Sequence, residues 1–103
     1  MAPLFPWRDY LTLAINLSKE PHEACLRSAI SRAYYAAFCT CSEWYVAKYT
    51  TIPDVQAGSH GNVWEAFKSH APDPTYVLIA GFGNLLKDRR EEADYANPYP
   101  SDW

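Results

Sequence analysis

The residues able to do chemistry in this sequence are polar groups set among apolar ones. Arg27, Ser31, Arg32, Tyr34 and Tyr35 interrupt a run of Ala, Ile, Phe and Cys; His60 follows a break containing Pro53 and Gly58; Arg89, Arg90, Asp94 and Tyr95 close the last helical stretch. Arginine presents a planar fork of donors that matches phosphate oxygens, and a phenol ring beside it can stack on a base. One reading is therefore an anion site in which Arg32 and one of Arg89 or Arg90 grip a phosphate while Tyr35 or Tyr95 stacks. The other is structural. A guanidinium among apolar helices needs a partner, and Asp94, beside Glu91 and Glu92, supplies one to Arg32 if the fourth helix runs along the second. Arg90 and Asp94, four residues apart, read as a surface pair worth about 0.2–0.5 kcal/mol. His22 and His70 fall at helix ends, where capping or surface roles suffice; His60, in a loop before a helix, reads either as a cap or hydrogen-bonding group or as one able to move a proton near neutral pH.

No glycine-rich phosphate loop, HExxH motif or histidine pair at i and i+4 is present. Cys39 and Cys41 point about 200° apart on a helix and cannot share a metal ion there. With Cys25 they make an odd number, expected as small buried thiols in a reducing cytosol.

The elements that must position these groups are helices. Trp7, Tyr10, Leu11, Ala14 and Leu17 recur at helical spacing and predict a first helix of about three turns. A second is expected from Pro21 or His22 to about Lys48, uninterrupted by Gly or Pro. Its stripe of Leu26, Ile30, Ala33, Ala37, Cys41 and Trp44 is widened by Tyr34, Phe38 and Tyr45, so it is apolar nearly all round. At 1.5 Å per residue it is about 40 Å long, against a radius of gyration near 13 Å for about 100 residues, so it is expected to outrun its own domain. A short third helix over 62–70 carries Val63, Trp64 and Phe67 inward. The fourth starts after a cap at Asp73 and runs to about Ala93, with Gly81 and Gly83 marking a bend or a close crossing over the second. The expected fold is all-α, an up-and-down four-helix bundle with a core over about 7–95 and an extended tail over 96–103.

At 103 residues one core is expected, without room in these residues for a second catalytic domain. A net charge of -3 excludes an overall positive field that would coat nucleic acid, so any such contact must be local. No stretch approaches the roughly 20 apolar residues of a membrane span. The expectation is a soluble, cytoplasmic protein.

The run Ser31-Arg32-Ala33-Tyr34-Tyr35-Ala36-Ala37-Phe38, then Ser59-His60-Gly61 ahead of a short helix, then Arg90-Glu91-Glu92-Ala93-Asp94-Tyr95 resembles the HEPN domain family. The likeness is to its small stand-alone prokaryotic branch with SRxYYAxF and RxxADY motifs, and it covers about residues 24–95. The resemblance implies a helical bundle that usually forms a homodimer, set beside a nucleotidyltransferase-like antitoxin partner in toxin–antitoxin or defence modules, where many members cut RNA without metal or cofactor. RNA-cutting members carry Arg, four to six residues, then His in the last core helix; counting from Arg89 or Arg90 finds no His. The expected function is a HEPN component that binds RNA or nucleotide phosphate through Arg32, Tyr35, Arg89, Arg90, Asp94 and Tyr95. Should it cleave, His60 moves the proton and Arg90 with Arg32 holds the phosphate. The rival is a non-catalytic helical dimerisation or protein-binding module whose Arg/Asp/Tyr cluster is structural.

Overall fold

The computed structural model of the chain describes residues 4–49 and 60–100, and every regular element among them is a helix. They are α1 (Arg8–Ser18), α2 (Glu23–Tyr49), α3 (His60–Lys68) and α4 (Pro74–Tyr95). The local reasons are legible in the chain. After α1 the amides of Lys19 and Glu20 return to the carbonyls of Asn16 and Leu17, and Pro21, which has no N–H, does not prolong the helix. Asp73 caps α4, its carboxylate accepting from the backbone amides of Thr75 and Tyr76, with Pro74 in the first turn where a missing amide costs nothing.

α2 has 27 residues, so it extends about 40 Å, nearly the whole 41 Å of the molecule's longest dimension. The radius of gyration, 14.7 Å, exceeds the roughly 13 Å of a compact chain this size, in keeping with a rod that its neighbours only partly surround. α2 packs against α1, α3 and α4; among the described residues α1 touches neither α3 nor α4. Trp7 ties the start of α1 to the later part of α2, its indole N–H donating to Glu43 at 2.8 Å.

The core is built from Tyr34, Phe38 and Tyr45 of α2, Val63, Trp64 and Phe67 of α3, and Ala80 of α4. α3 therefore buries the face its spacing predicts. On α2 the outcome differs: the buried edge is the one through Tyr34, Phe38 and Tyr45, while Ala33, Ala37 and Cys41 are half-buried and Trp44 is exposed. The reason is the gap between α1 and α4. It leaves a groove of about 520 Å³ over Ala33, Ala37 and Thr40, edged by Leu11 and Leu86. Leu11, expected inward, is exposed there. The glycines of α4 also part ways. Gly83 sits under the Trp64 indole, which a Cβ would strike, whereas Gly81 faces open space. The close approach is thus to α3, not to the long helix.

Candidate functional site

One polar cluster forms where residues 27–35 of α2 meet the last two turns of α4. Helical spacing puts Arg27, Ser31 and Tyr34 on successive turns of one α2 face. α4 answers with Arg90, Ala93 and Asp94, again one turn. Ser31 donates to Asp94 Oδ2 at 3.4 Å, and an Arg27 guanidinium nitrogen donates to the carbonyl of Ala93 at 3.3 Å. Arg27 also pairs with Glu23 at 3.1 Å and lies over the Tyr99 ring, which fastens the tail after α4 to α2.

Arg90 is the centre of this arrangement. It is buried, only 9% exposed, so the surface pair expected from its spacing is instead a partly buried one. Its carboxylate contacts are long: 3.5 Å to Asp94 and 3.8 Å to Glu91. Its Nε has no hydrogen-bond partner among the described residues, and its guanidinium carbon lies 5.6 and 5.8 Å from the ring centroids of Tyr34 and Tyr35. A buried cation normally has every donor satisfied at about 2.7–2.9 Å from an acceptor; this one does not. Tyr34, wholly buried, accepts a hydrogen bond from the Trp64 indole at 3.2 Å. Burial pushes its phenol up to about 12 against the lowering effects of that bond and of the Arg90 charge, so Tyr34 stays neutral at physiological pH and is no general base.

Arg32 does not meet Asp94. Among the described residues it forms no ion pair; its guanidinium lies over the rings of Tyr10, at 4.9 Å, and Tyr35, at 5.3 Å. Arg32 and Arg90 therefore converge on the Tyr35 ring, and Asp94 belongs to Arg90 and Ser31. Of the other expected site residues, Arg89 points away and pairs with Glu92 at 3.0 Å, and Tyr95 is 77% exposed. The backbone of His60 opens α3, and its side chain lies outside the described residues. The contribution of Tyr10, from a helix with no other polar group in this cluster, was missed and has no signal in the sequence. Ser31 and Tyr34 lay in the signal, at helical spacing from Arg27.

His70 is a correction of another kind. It is half-buried rather than a surface or capping residue, stacked on Tyr49 and on Tyr76 with ring centroids 4.7 Å away in each case, and 2.9 Å from the Tyr45 hydroxyl. The Tyr49 and Tyr76 hydroxyls meet at 2.5 Å, and that hydrogen bond raises the Tyr49 phenol above its ordinary range. The three cysteines are free thiols, half-buried rather than buried as expected, with those of Cys39 and Cys41 pushed up by desolvation. Among the described residues no group of His, Cys, Asp and Glu is placed to hold a metal ion, and no helix is long and apolar enough to cross a membrane. Compared with protein-family models, curated proteins and solved structures, the chain matches none.

Proposed function

We propose that the chain is an HEPN-like up-and-down bundle that acts as the RNA- or nucleotide-binding component of a toxin–antitoxin or defence pair, with a nucleotidyltransferase-like protein as its partner. One observation carries the binding reading: two guanidiniums, Arg32 without an ion pair and Arg90 with an unsatisfied donor among the described residues, lie against the single ring of Tyr35. A phosphate oxygen supplies the acceptors that these donors lack, and Tyr35 is the aromatic ring beside them against which a base would stack. Arg32 is half-buried and within reach of solvent; Arg90 holds the floor, and Asp94 with Ser31 fixes its orientation. Binding rather than cleavage is the assigned role, because no His follows Arg89 or Arg90 at the spacing that cutting members use. If the protein does cut, the 2'-hydroxyl proton passes to His60, the hydroxyl oxygen attacks phosphorus and the 5'-oxygen leaves.

A homodimer belongs to the same reading. Leu78, Phe82 and Leu85 of α4 are exposed along one stripe, with Phe82 at 61%, and the groove over Ala33 and Ala37 lies beside them. Contiguous apolar surface of this kind marks an interaction face.

The test is retention on immobilised RNA. Wild-type protein should bind at low salt and release as salt rises. Arg32→Ala should abolish retention with melting nearly unchanged, since it breaks no ion pair. Loss of fold in Arg32→Ala, or retention equal to wild type, supports the structural reading instead. Degradation of the RNA by wild type but not by His60→Ala would add the ribonuclease activity.

A further inference from the structure

Between its cap, Asp73, and Lys87, α4 carries no charged residue, yet much of that stretch is open to solvent. Leu78, Phe82 and Leu85 follow one another along one exposed face, and Arg89 continues it one turn on. With Val77 and Gly81 the three apolar side chains line a hollow of about 220 Å³, of which Phe82 forms one wall. Gly81 is the feature that the chain's own packing does not explain. A glycine in mid-helix weakens the helix relative to alanine. Gly83, two residues on, has its reason in the Trp64 indole, which a Cβ would strike; a Cβ at Gly81 would meet nothing within 4 Å among the described residues.

A missing side chain among exposed apolar ones is a hole beside a knob. Gly81 and Phe82 are adjacent in the chain and line the same hollow, so a surface that carries both is complementary to itself. Under a two-fold axis each copy's ring covers the other copy's glycine, the isologous arrangement in which one patch serves both sides. Charge then selects the direction. With Gly81 opposite Phe82, antiparallel helices bring Leu78 opposite Leu85 and set Arg89 opposite Pro74, next to the Asp73 carboxylate of the second copy. Parallel helices would instead place Asp73 on Asp73 and Arg89 on Arg89, like charges that disfavour the pairing. A shallow crossing, near 20°, keeps both charged ends in reach.

We infer that two copies of the chain pair through an antiparallel crossing of α4 on α4, each Phe82 ring seated over Gly81 of the other copy and each Arg89 beside the other's Asp73. The inference rests on the homodimer of the proposed function and names its interface; it does not depend on RNA binding.

The test is sedimentation equilibrium of the full chain, with circular dichroism melts of the dilute protein to follow the fold. Wild type should dimerise at tens of micromolar. Gly81→Leu adds apolar area without a clash inside the chain, so a merely sticky face would associate more tightly. Filling the hole should instead weaken the dimer at least about tenfold while the dilute melt is unchanged or raised. Direction is read by disulfide capture under mild oxidation. Leu78→Cys mixed with Leu85→Cys should give cross-linked dimers. Leu78→Cys alone should not exceed the background of the three native thiols, because its two copies lie about 10 Å apart along the helices, beyond disulfide reach. An undiminished dimer in Gly81→Leu overturns the crossing and leaves the homodimer to another interface. Cross-linking of Leu78→Cys with itself overturns the antiparallel direction, and a monomeric wild type overturns the homodimer as well.

Discussion

Replacing Arg90 with methionine separates a structural arginine from a functional one. The guanidinium is about nine-tenths buried, and removing a cation from water costs several kcal/mol even after the protein relaxes. Against that cost stand two carboxylate contacts at 3.5 and 3.8 Å, longer than good charge-assisted hydrogen bonds, from side chains that are themselves partly exposed. The ring faces of Tyr34 and Tyr35 add about 0.5–1 kcal/mol each at the outer edge of cation–π range. The unpartnered Nε subtracts about 1–3 kcal/mol. Costs match or outweigh gains, so Arg90→Met, which keeps an unbranched stem in the slot, should leave the unfolding free energy unchanged or raise it. Arg90→Ala empties the slot and should cost about 2 kcal/mol or more. Urea denaturation with linear extrapolation reads both, and RNA retention of Arg90→Met should be lost although the fold survives. A loss above about 3 kcal/mol in the methionine variant, the size seen when a well-compensated buried charge pair is broken, would refute this accounting and make Arg90 a structural lock.

Three further outcomes follow from the packing. Gly83→Ala should destabilise by about 1–3 kcal/mol, because the collision with Trp64 outweighs the roughly 1 kcal/mol gained in helix propensity, whereas Gly81→Ala should stabilise by up to about 1 kcal/mol in thermal or urea melts. Tyr34 binds its proton more tightly folded, at about 12, than unfolded, at its ordinary value of 10.0. Stability from this group is therefore complete below pH 10 and falls as pH rises through about 12, by at most about 3 kcal/mol; Tyr34→Phe should remove that slope in urea melts across this window, and an unchanged slope counts against the assignment. Phe82→Asp should convert a dimer to a monomer in sedimentation velocity with its circular dichroism unchanged, since the ring is exposed in one copy; a wild-type monomer at tens of micromolar would remove the dimer from the proposed function.

What the sequence made legible was local chemistry. The Asp73-Pro74 start of α4 was readable because a cap and a first-turn proline act within a few residues, and the inward face of α3 because its remaining residues are polar enough to fix a direction. α2 was not readable in the same way. A helix apolar nearly all round carries no period that selects one buried edge, so the face through Tyr34, Phe38 and Tyr45 was chosen by α3 and α4. Arg89 and Arg90 make the point most sharply. They are chemically identical neighbours, yet the 100° turn between them sends one to Glu92 in solvent and the other beneath α2. The convergence of α2 with Asp94 was anticipated, but the acid reached Ser31 and Arg90 rather than Arg32, because Arg32 sits one residue round the helix from Ser31 and meets Tyr10 of α1 instead. His70 was undervalued for a related reason: its ring partners come from α2 and α4, which only the elbow after α3 brings together.

The length of α2 connects these findings. A helix of about 40 Å in so small a chain cannot be covered by α1, α3 and α4 alone. Near its start the accessible cation is Arg32, half-buried over the Tyr10 and Tyr35 rings, with Arg90 of α4 buried beneath. In a protein of net charge -3, attraction of a phosphate to that spot has to be local and not set by the whole-molecule field. A multivalent phosphate ligand held there displaces counterions and should weaken steeply with salt, so retention on RNA that is indifferent to salt would refute the proposed phosphate contacts.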